Sequence, residues 1–286
     1  MEQAMDGEST IQVSFVKDYD KQVKVAYQRE GSLLANTVRK RKNVVGDSVR
    51  FQKYGFINAV GKTRNGDLEF QNPDHSYVEA AMVDRYAPVQ VDDLDQLATN
   101  NDEQALAAQS GAWALGRETD SQIITALSGA SQYVGDYSKG LNKSELVDGL
   151  VMLDNKKVPN KGRFAALWPK HFYELINIAE VSSSDYVGDK FPWLKGEEAF
   201  YWNGTMWIKH SGLLTAEGDA THGRSYIWHQ MAAGHGSGAD VSTRIDWDTR
   251  AQAYNIVSKM KGGAALIEED GVVELRFALD EELDAA

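Results

Sequence analysis

The 286 residues are 42% hydrophobic and 25% charged and contain no cysteine, a globular balance that excludes bulk disorder, disulfide staples, thiolate metal sites and a cysteine nucleophile. No apolar run of about eighteen residues occurs, and the start MEQAMDGEST is polar, so a soluble, non-secreted protein without membrane contact is expected. The net charge of −12 is unevenly divided: residues 17–64 carry twelve Lys and Arg against four acidic residues, whereas residues 65–286 carry eighteen against thirty-five.

In chain order, Ile11, Phe15, Tyr19, Val23 and Tyr27 recur every four residues from Ser9 onward, which predicts an amphipathic helix. The sequence VRKRK at 38–42 follows, with Arg39, Lys40, Arg41 and Lys42 forming a dense cationic patch. Such a patch reads either as a solvated face or as an electrostatic dock for an acidic partner. A DNA-binding reading of the same four residues lacks aromatic or motif context.

GKTRNGDLEF at 61–70 places Asn65-Gly66 at its centre, the dipeptide that favours a two-residue hairpin turn. The arms on either side are each longer than an ordinary strand, and an isolated hairpin of that length is barely stable in water. It must therefore join a larger sheet or lean on another molecule. YVEAAMVDRYAPVQV at 77–91 continues out of it as an extended segment.

The period then changes. Residues 100–129 carry the longest helical signal, with Asn101 and Gln104 as a capping-box-like start, Asp102 and Glu103 in the first turn and Gly129 as a stop. Gly111 and Gly116 inside it are read as concessions to close packing. From Leu141 the pattern is mixed: NKSELVDGLVMLDNKKV is a capped helix, RFAALW a buried strand, and Pro169 opens the helix KHFYELINIAE. GTMWIKHSG and RSYIWHQ read as strands, and VSTRIDW, AQAYNIVSKMKGGAALI and GVVELRFAL return the chain to β-structure before the frayed end DEELDAA.

Chemistry-bearing patterns are sparse. His222, His229 and His235 lie close in sequence, but their spacing matches no zinc pattern and they are read as ordinary polar positions. GHGSG at 234–238 lacks the Lys-Ser/Thr of a phosphate loop and is read as a flexible turn. Paired acids such as Glu197-Glu198 diverge rather than converge on a substrate. Trp168, Trp193, Trp202, Trp207 and Trp228 suit core and interface anchoring; a Trp-lined ligand pocket within 168–235 is the competing reading. No catalytic residue, metal ligand or cofactor is assigned.

The order of these parts resembles that of the major capsid proteins of tailed bacteriophages, the Hong Kong 97-type fold. YDKQVKVAYQREGSLLANTV resembles the arm helix of one branch of that family. RFAALWPKHFYELI resembles the strand, proline and helix that open its axial domain, and RIDWDTRAQAYNIVSKMKGGAALIEEDGVV its closing segment. The resemblance implies an α+β fold with an N-terminal arm (1–46), an extended hairpin loop (47–91), a peripheral domain with a long spine helix (92–143 and 242–279), an axial α/β domain (144–241) and a short tail (280–286). It further implies a structural, non-enzymatic subunit that assembles with copies of itself into pentamers and hexamers of an icosahedral head, built in the host cytoplasm and ending in the virion. Portal and scaffold or decoration proteins, and packaged DNA held without sequence-specific contact, are the other implied partners. On this reading Arg39 to Lys42, together with Arg50, Lys53, Lys62, Arg64, Asn65 and Gly66 of the hairpin, form intersubunit contacts. An encapsulin-like nanocompartment shares the fold and is the near alternative; a soluble ligand-binding protein or enzyme is the distant one.

Overall fold

The computed structural model describes residues 31–93, 102–178, 199–216 and 219–279. The helix predicted from Ser9 lies outside them. The fold is α+β. Its strands are β1 (Arg39–Arg41), β2 (Ser48–Tyr54), β3 (His75–Ala81), β4 (Val83–Asp92), β5 (Tyr133–Val134), β6 (Arg163–Leu167), β7 (Ala199–Trp202), β8 (Thr205–Lys209), β9 (Thr215–Ala216), β10 (Asp219–His229), β11 (Ala233–Asp248), β12 (Ala253–Leu266) and β13 (Val272–Ala278). Among the described residues three α-helices, α1 (Glu103–Leu127), α2 (Lys143–Asn155) and α3 (Pro169–Asn177), complete it.

Two large sheets organise the described residues, and β2 and β3 pair in a third sheet of two strands. A four-stranded sheet has the order β1-β11-β12-β4, and a seven-stranded sheet runs β5-β13-β10-β6-β8-β7 with β9 on β10. Strand pairing redistributes the segments relative to the sequence division. Residues 83–92, assigned to the hairpin loop, form β4 and pair with β12 along ten positions. Residues 233–241, assigned to the axial unit, lie in β11 of the four-stranded sheet, whereas β13, assigned to the peripheral unit, pairs with β10 in the seven-stranded one. A strand's sheet depends on long-range partners, which local alternation does not encode.

The helices follow from their ends. The Asp102 carboxylate accepts a bond from the Ala105 N–H at 3.1 Å and caps α1, one residue after the expected cap at Asn101. Asn142 caps α2 by accepting from the Ser144 N–H two residues on, and Pro169 starts α3, where its missing N–H costs nothing. Gly111 of α1 lies directly over Ser258: a β-carbon there would come within 2.6 Å of the serine hydroxyl. The helix therefore lies close against the four-stranded sheet, as its small residues predict.

Both faces of the seven-stranded sheet are covered. On one, Leu146, Leu150, Leu153, Phe172 and Leu175 of α2 and α3 meet Trp207, Ile227, Leu275 and Phe277. On the other, Ile123, Ile124 and Leu127 of α1 meet Tyr226, Trp228 and Val272, joined by Leu34 and Val38 from the chain before β1. Each buried aromatic of this size removes on the order of 200 Å² from water, about 5 kcal/mol before entropy is charged.

Candidate functional site

The residues singled out by sequence do not form one patch. Arg39, Lys40 and Arg41 supply the backbone of β1, which runs parallel to β11 with Arg39 opposite Gly234 and Arg41 opposite Gly236. Their side chains project from an edge that is part of the chain's own sheet: Arg39 lies over the Phe51 ring at 5.8 Å, Lys40 donates to Asn36 at 2.5 Å, and Lys42 is exposed. The stretch GHGSG, expected as a flexible turn, is strand β11. Its alternate glycines have a packing cause: β-carbons at Gly234 and Gly236 would strike Phe51 and Val49 at 2.7 and 2.6 Å. Two glycines at i and i+2 with no turn partner were the available signal.

Phe51 and Val49 belong to the root of the hairpin. β2 and β3 pair antiparallel from Ser48–Ala81 to Tyr54–His75. Val49, Phe51, Ala80 and Met82 are buried there against Ala265 and Ile267. Beyond this root the ladder stops, yet the register does not. The Gly55 N–H donates to Asp74 O at 2.9 Å, Asn58 exchanges two bonds of 2.9 Å with the Gln71 side chain, and the Gly66 N–H donates to Thr63 O at 3.1 Å. All three ties continue the alignment of β2 with β3, so residues 48–81 form one hairpin. The turn sits one residue earlier than Asn65-Gly66. Arg64 and Asn65 are its central pair, and Asn65 adopts φ 68°, the left-handed conformation that asparagine tolerates at the third turn position.

The cations of this hairpin divide in two. At the root, Arg50 pairs with Glu79 at 3.2 Å and stacks over Tyr77, and Lys53 pairs with Glu268 at 3.0 Å. At the tip, Lys62 and Arg64 are exposed, but residues 55–74 also contain Asp67, Glu69 and Asp74. The outer hairpin is therefore not basic. Its dominant feature is apolar and escaped the sequence reading: Phe56 is 78% exposed and Phe70 89%, with Ile57, Val60 and Leu68 also uncovered. Lone surface hydrophobes need no explanation, but five within fifteen residues of one projecting ribbon form a patch.

A second cluster also went unpredicted. Asp120 of α1 is fully buried and accepts bonds from the Ser32 hydroxyl at 2.5 Å, the Leu33 N–H at 3.1 Å and the Leu34 N–H at 3.0 Å, and it meets His210 Nε2 at 3.2 Å. One carboxylate thus fastens the arm, α1 and the end of β8 together. A lone polar residue in an apolar stripe, at Asp120 beside Ile123 and Ile124, is the sequence trace of such a pin.

Among the described residues the competing chemistries find no geometry. His222 stacks on Tyr137, His229 Nε2 donates to Lys161 O, and His235 faces Gln122; among the described residues no three metal-binding side chains converge. Trp207 and Trp228 are fully buried, their indole N–H groups donating to Trp202 O and Thr37 O at 3.1 Å each. Two clefts of about 300 and 380 Å³ have no tryptophan in their walls.

Residues 11–279 match the model of a family described as phage capsid protein. No curated protein sequence matches the chain. Among solved structures, the capsid of the cyanophage P-SCSP1u superposes with a TM-score of 0.73 at 17% identity, covering 93% of this chain and 94% of that one. A chain from Mycobacterium phage Che8 gives 0.71 at 16%, covering 91% and 97%, and a virus-like particle from Pyrococcus furiosus gives 0.59 at 14%, covering 86% and 92%.

Proposed function

The chain belongs to the phage capsid protein family and has the Hong Kong 97-type fold, and from that premise we propose that it closes into pentamers and hexamers of an icosahedral head around double-stranded DNA. It is a major capsid protein, a structural subunit of the virion. Copies of itself are its main partners; portal and scaffold or decoration proteins engage the growing shell in the host cytoplasm, and the packaged DNA is enclosed without base-specific contact.

The observation that carries this reading is the outer hairpin, residues 55–74. It is registered like a strand pair, yet Phe56 and Phe70 stand mostly in solvent and Ile57 and Leu68 are about half exposed, with only the Lys157 ammonium over the Phe56 ring named against any of the four among the described residues. An apolar ribbon that projects from a folded body finds its burial on a neighbouring subunit, and a contact between two different surfaces of one chain propagates head to tail into rings. The cations Arg39 to Lys42, Lys62 and Arg64 draw the neighbour's acidic surface in from a distance, while the apolar contacts hold it.

Electron microscopy of the purified full-length chain tests this. Shells of uniform diameter are expected from the native sequence, and the double variant Phe56→Ser/Phe70→Ser should remain a folded, unassembled subunit with native thermal unfolding. Particles formed by that variant at native yield would overturn the role of the ribbon.

A further inference from the structure

We infer that the receiving surface for the returning limb of the hairpin, Gly66–Phe70, is the outer edge of β11, residues 241–248, on a second copy of this chain. The inference rests on the hairpin reading above and adds the place where the ribbon lands.

The four-stranded sheet has two edges, and they differ. On one side β4 is the terminal strand and carries Pro88, which lacks an N–H and blunts an edge against further pairing. On the other, β1 covers only Gly234 to Gly236 of β11, and Val44 adds one bond to Ser237 O. Among the described residues no strand pairs with the outer side of 241–248. This edge contains no proline, and Val241, Ile245 and Trp247 are exposed on it.

The side chains there are sorted by face. Thr243 touches the Ser258 hydroxyl at 2.7 Å, Ser258 faces Gly111 of α1, and Trp247 packs edge-on against Tyr254. Alternation therefore puts Thr243, Ile245 and Trp247 on the α1 side and Arg244 and Asp246 on the reverse, where Lys259 also projects, diagonal to Arg244 in the ladder.

The limb has the matching alternation. Leu68 and Phe70 share one side of an extended strand, and Asp67 and Glu69 the other. Added to the β11 edge with Leu68 and Phe70 beside Ile245 and Trp247, it brings Asp67 and Glu69 to the face of Arg244 and Lys259. Asp67, Glu69 and Lys259 make no ion pair among the described residues; Arg244 bonds Asp246 two residues along, at 2.7 Å on an exposed surface, a pair that the incoming carboxylates extend rather than break. The contact is sheet augmentation, in which backbone bonds supply affinity and the alternate side chains supply the register.

Because the chain has no cysteine, an introduced pair reports unambiguously. Oxidised particles of Leu68→Cys/Ile245→Cys should run as covalent multimers on denaturing gels, while each single variant runs as monomer. Particles that form but remain monomeric, or an equal ladder from Leu68→Cys paired with Val89→Cys on β4, would overturn the assignment while leaving the hairpin reading intact; assembly that ignores Phe56→Ser/Phe70→Ser would overturn the hairpin reading itself. Charge reversal supplies a readout free of thiol geometry. Arg244→Glu should raise the critical assembly concentration about fivefold, and adding Asp67→Arg/Glu69→Arg should restore most of it; absence of any recovery counts against the register.

Discussion

The inner and outer halves of one hairpin share a register and differ in everything else. In the inner half, Phe51 is 1% exposed and fills the space left by Gly234 of β11, as Val49 fills that left by Gly236. In the outer half, Phe70 stands almost wholly in solvent. The turn chemistry at Arg64-Asn65 and the ties at 55/74 and 58/71 fix the alignment locally, whereas burial requires a surface, and the described residues bury only the root fully. Local physics sets the shape of the ribbon, and tertiary contact sets how much of it the fold can hold. The chain thus holds the root itself and leaves the outer half exposed.

The contrast is broken most severely at the anchor. Asp120→Ala removes one acceptor and strands three donors and His210 in a buried place; losing a buried, multiply bonded carboxylate costs about 3–5 kcal/mol. Thermal unfolding of the unassembled chain should drop accordingly and assembly should fail with it, because the arm that leads into β1 would no longer be fixed. A native melting curve for this variant would show that the arm is held by other contacts. Next in size, Phe51→Ala opens a cavity under the hairpin root and should cost about 3 kcal/mol. Phe70→Ala, in the same hairpin, should change the unassembled subunit by less than about 0.5 kcal/mol and yet reduce particle yield. Equal effects of the two on the isolated chain, measured by urea unfolding, would abolish the distinction between the halves.

Much of this was legible from the residues. The hairpin, its asparagine turn, the long capped helix, the Pro-initiated α3 and the order of the closing strands all follow from period, caps and turn chemistry, which act over a few residues. What escaped was set by partners far along the chain. The VRKRK stretch looks like a free cationic arm because charge dominates its composition, but the backbone of Arg39–Arg41 satisfies itself against β11 nearly two hundred residues away, and a strand of three residues has no period to read. Glycines at 234 and 236 look like a loop until Phe51 and Val49 are seen to need their space. Charge counting also misled at the tip, where the division at residue 64 cut the hairpin in half and left Asp67 and Glu69 on the other side of the ledger.

The mildest test concerns acid. Burial holds His171 below the ordinary histidine range, with Lys170 adding to the effect and the bond to Ala278 O opposing it; burial likewise lowers His235, with Lys40 adding to it and Asp120 opposing it. A histidine depressed in the folded state takes up its proton more readily once unfolded. Its contribution is therefore complete above the unfolded pKa, about 6.5, and is lost as pH falls below that value toward the folded one. The midpoint of thermal unfolding should decline between about pH 7.5 and 5.5, and His171→Gln, which keeps a donor for Ala278 O, should flatten the decline. His235 sits between the two glycines that receive Phe51 and Val49 but points to the opposite face of β11, so its proton arrives against Gln122 of α1 and beside Lys40 of β1. Hydrogen exchange should then show β1 and the root opening in mild acid before β10 and β13 do. If the seven-stranded sheet opens first, the weaker of the two titrations lies at His235, and the root is the firmer half of the molecule.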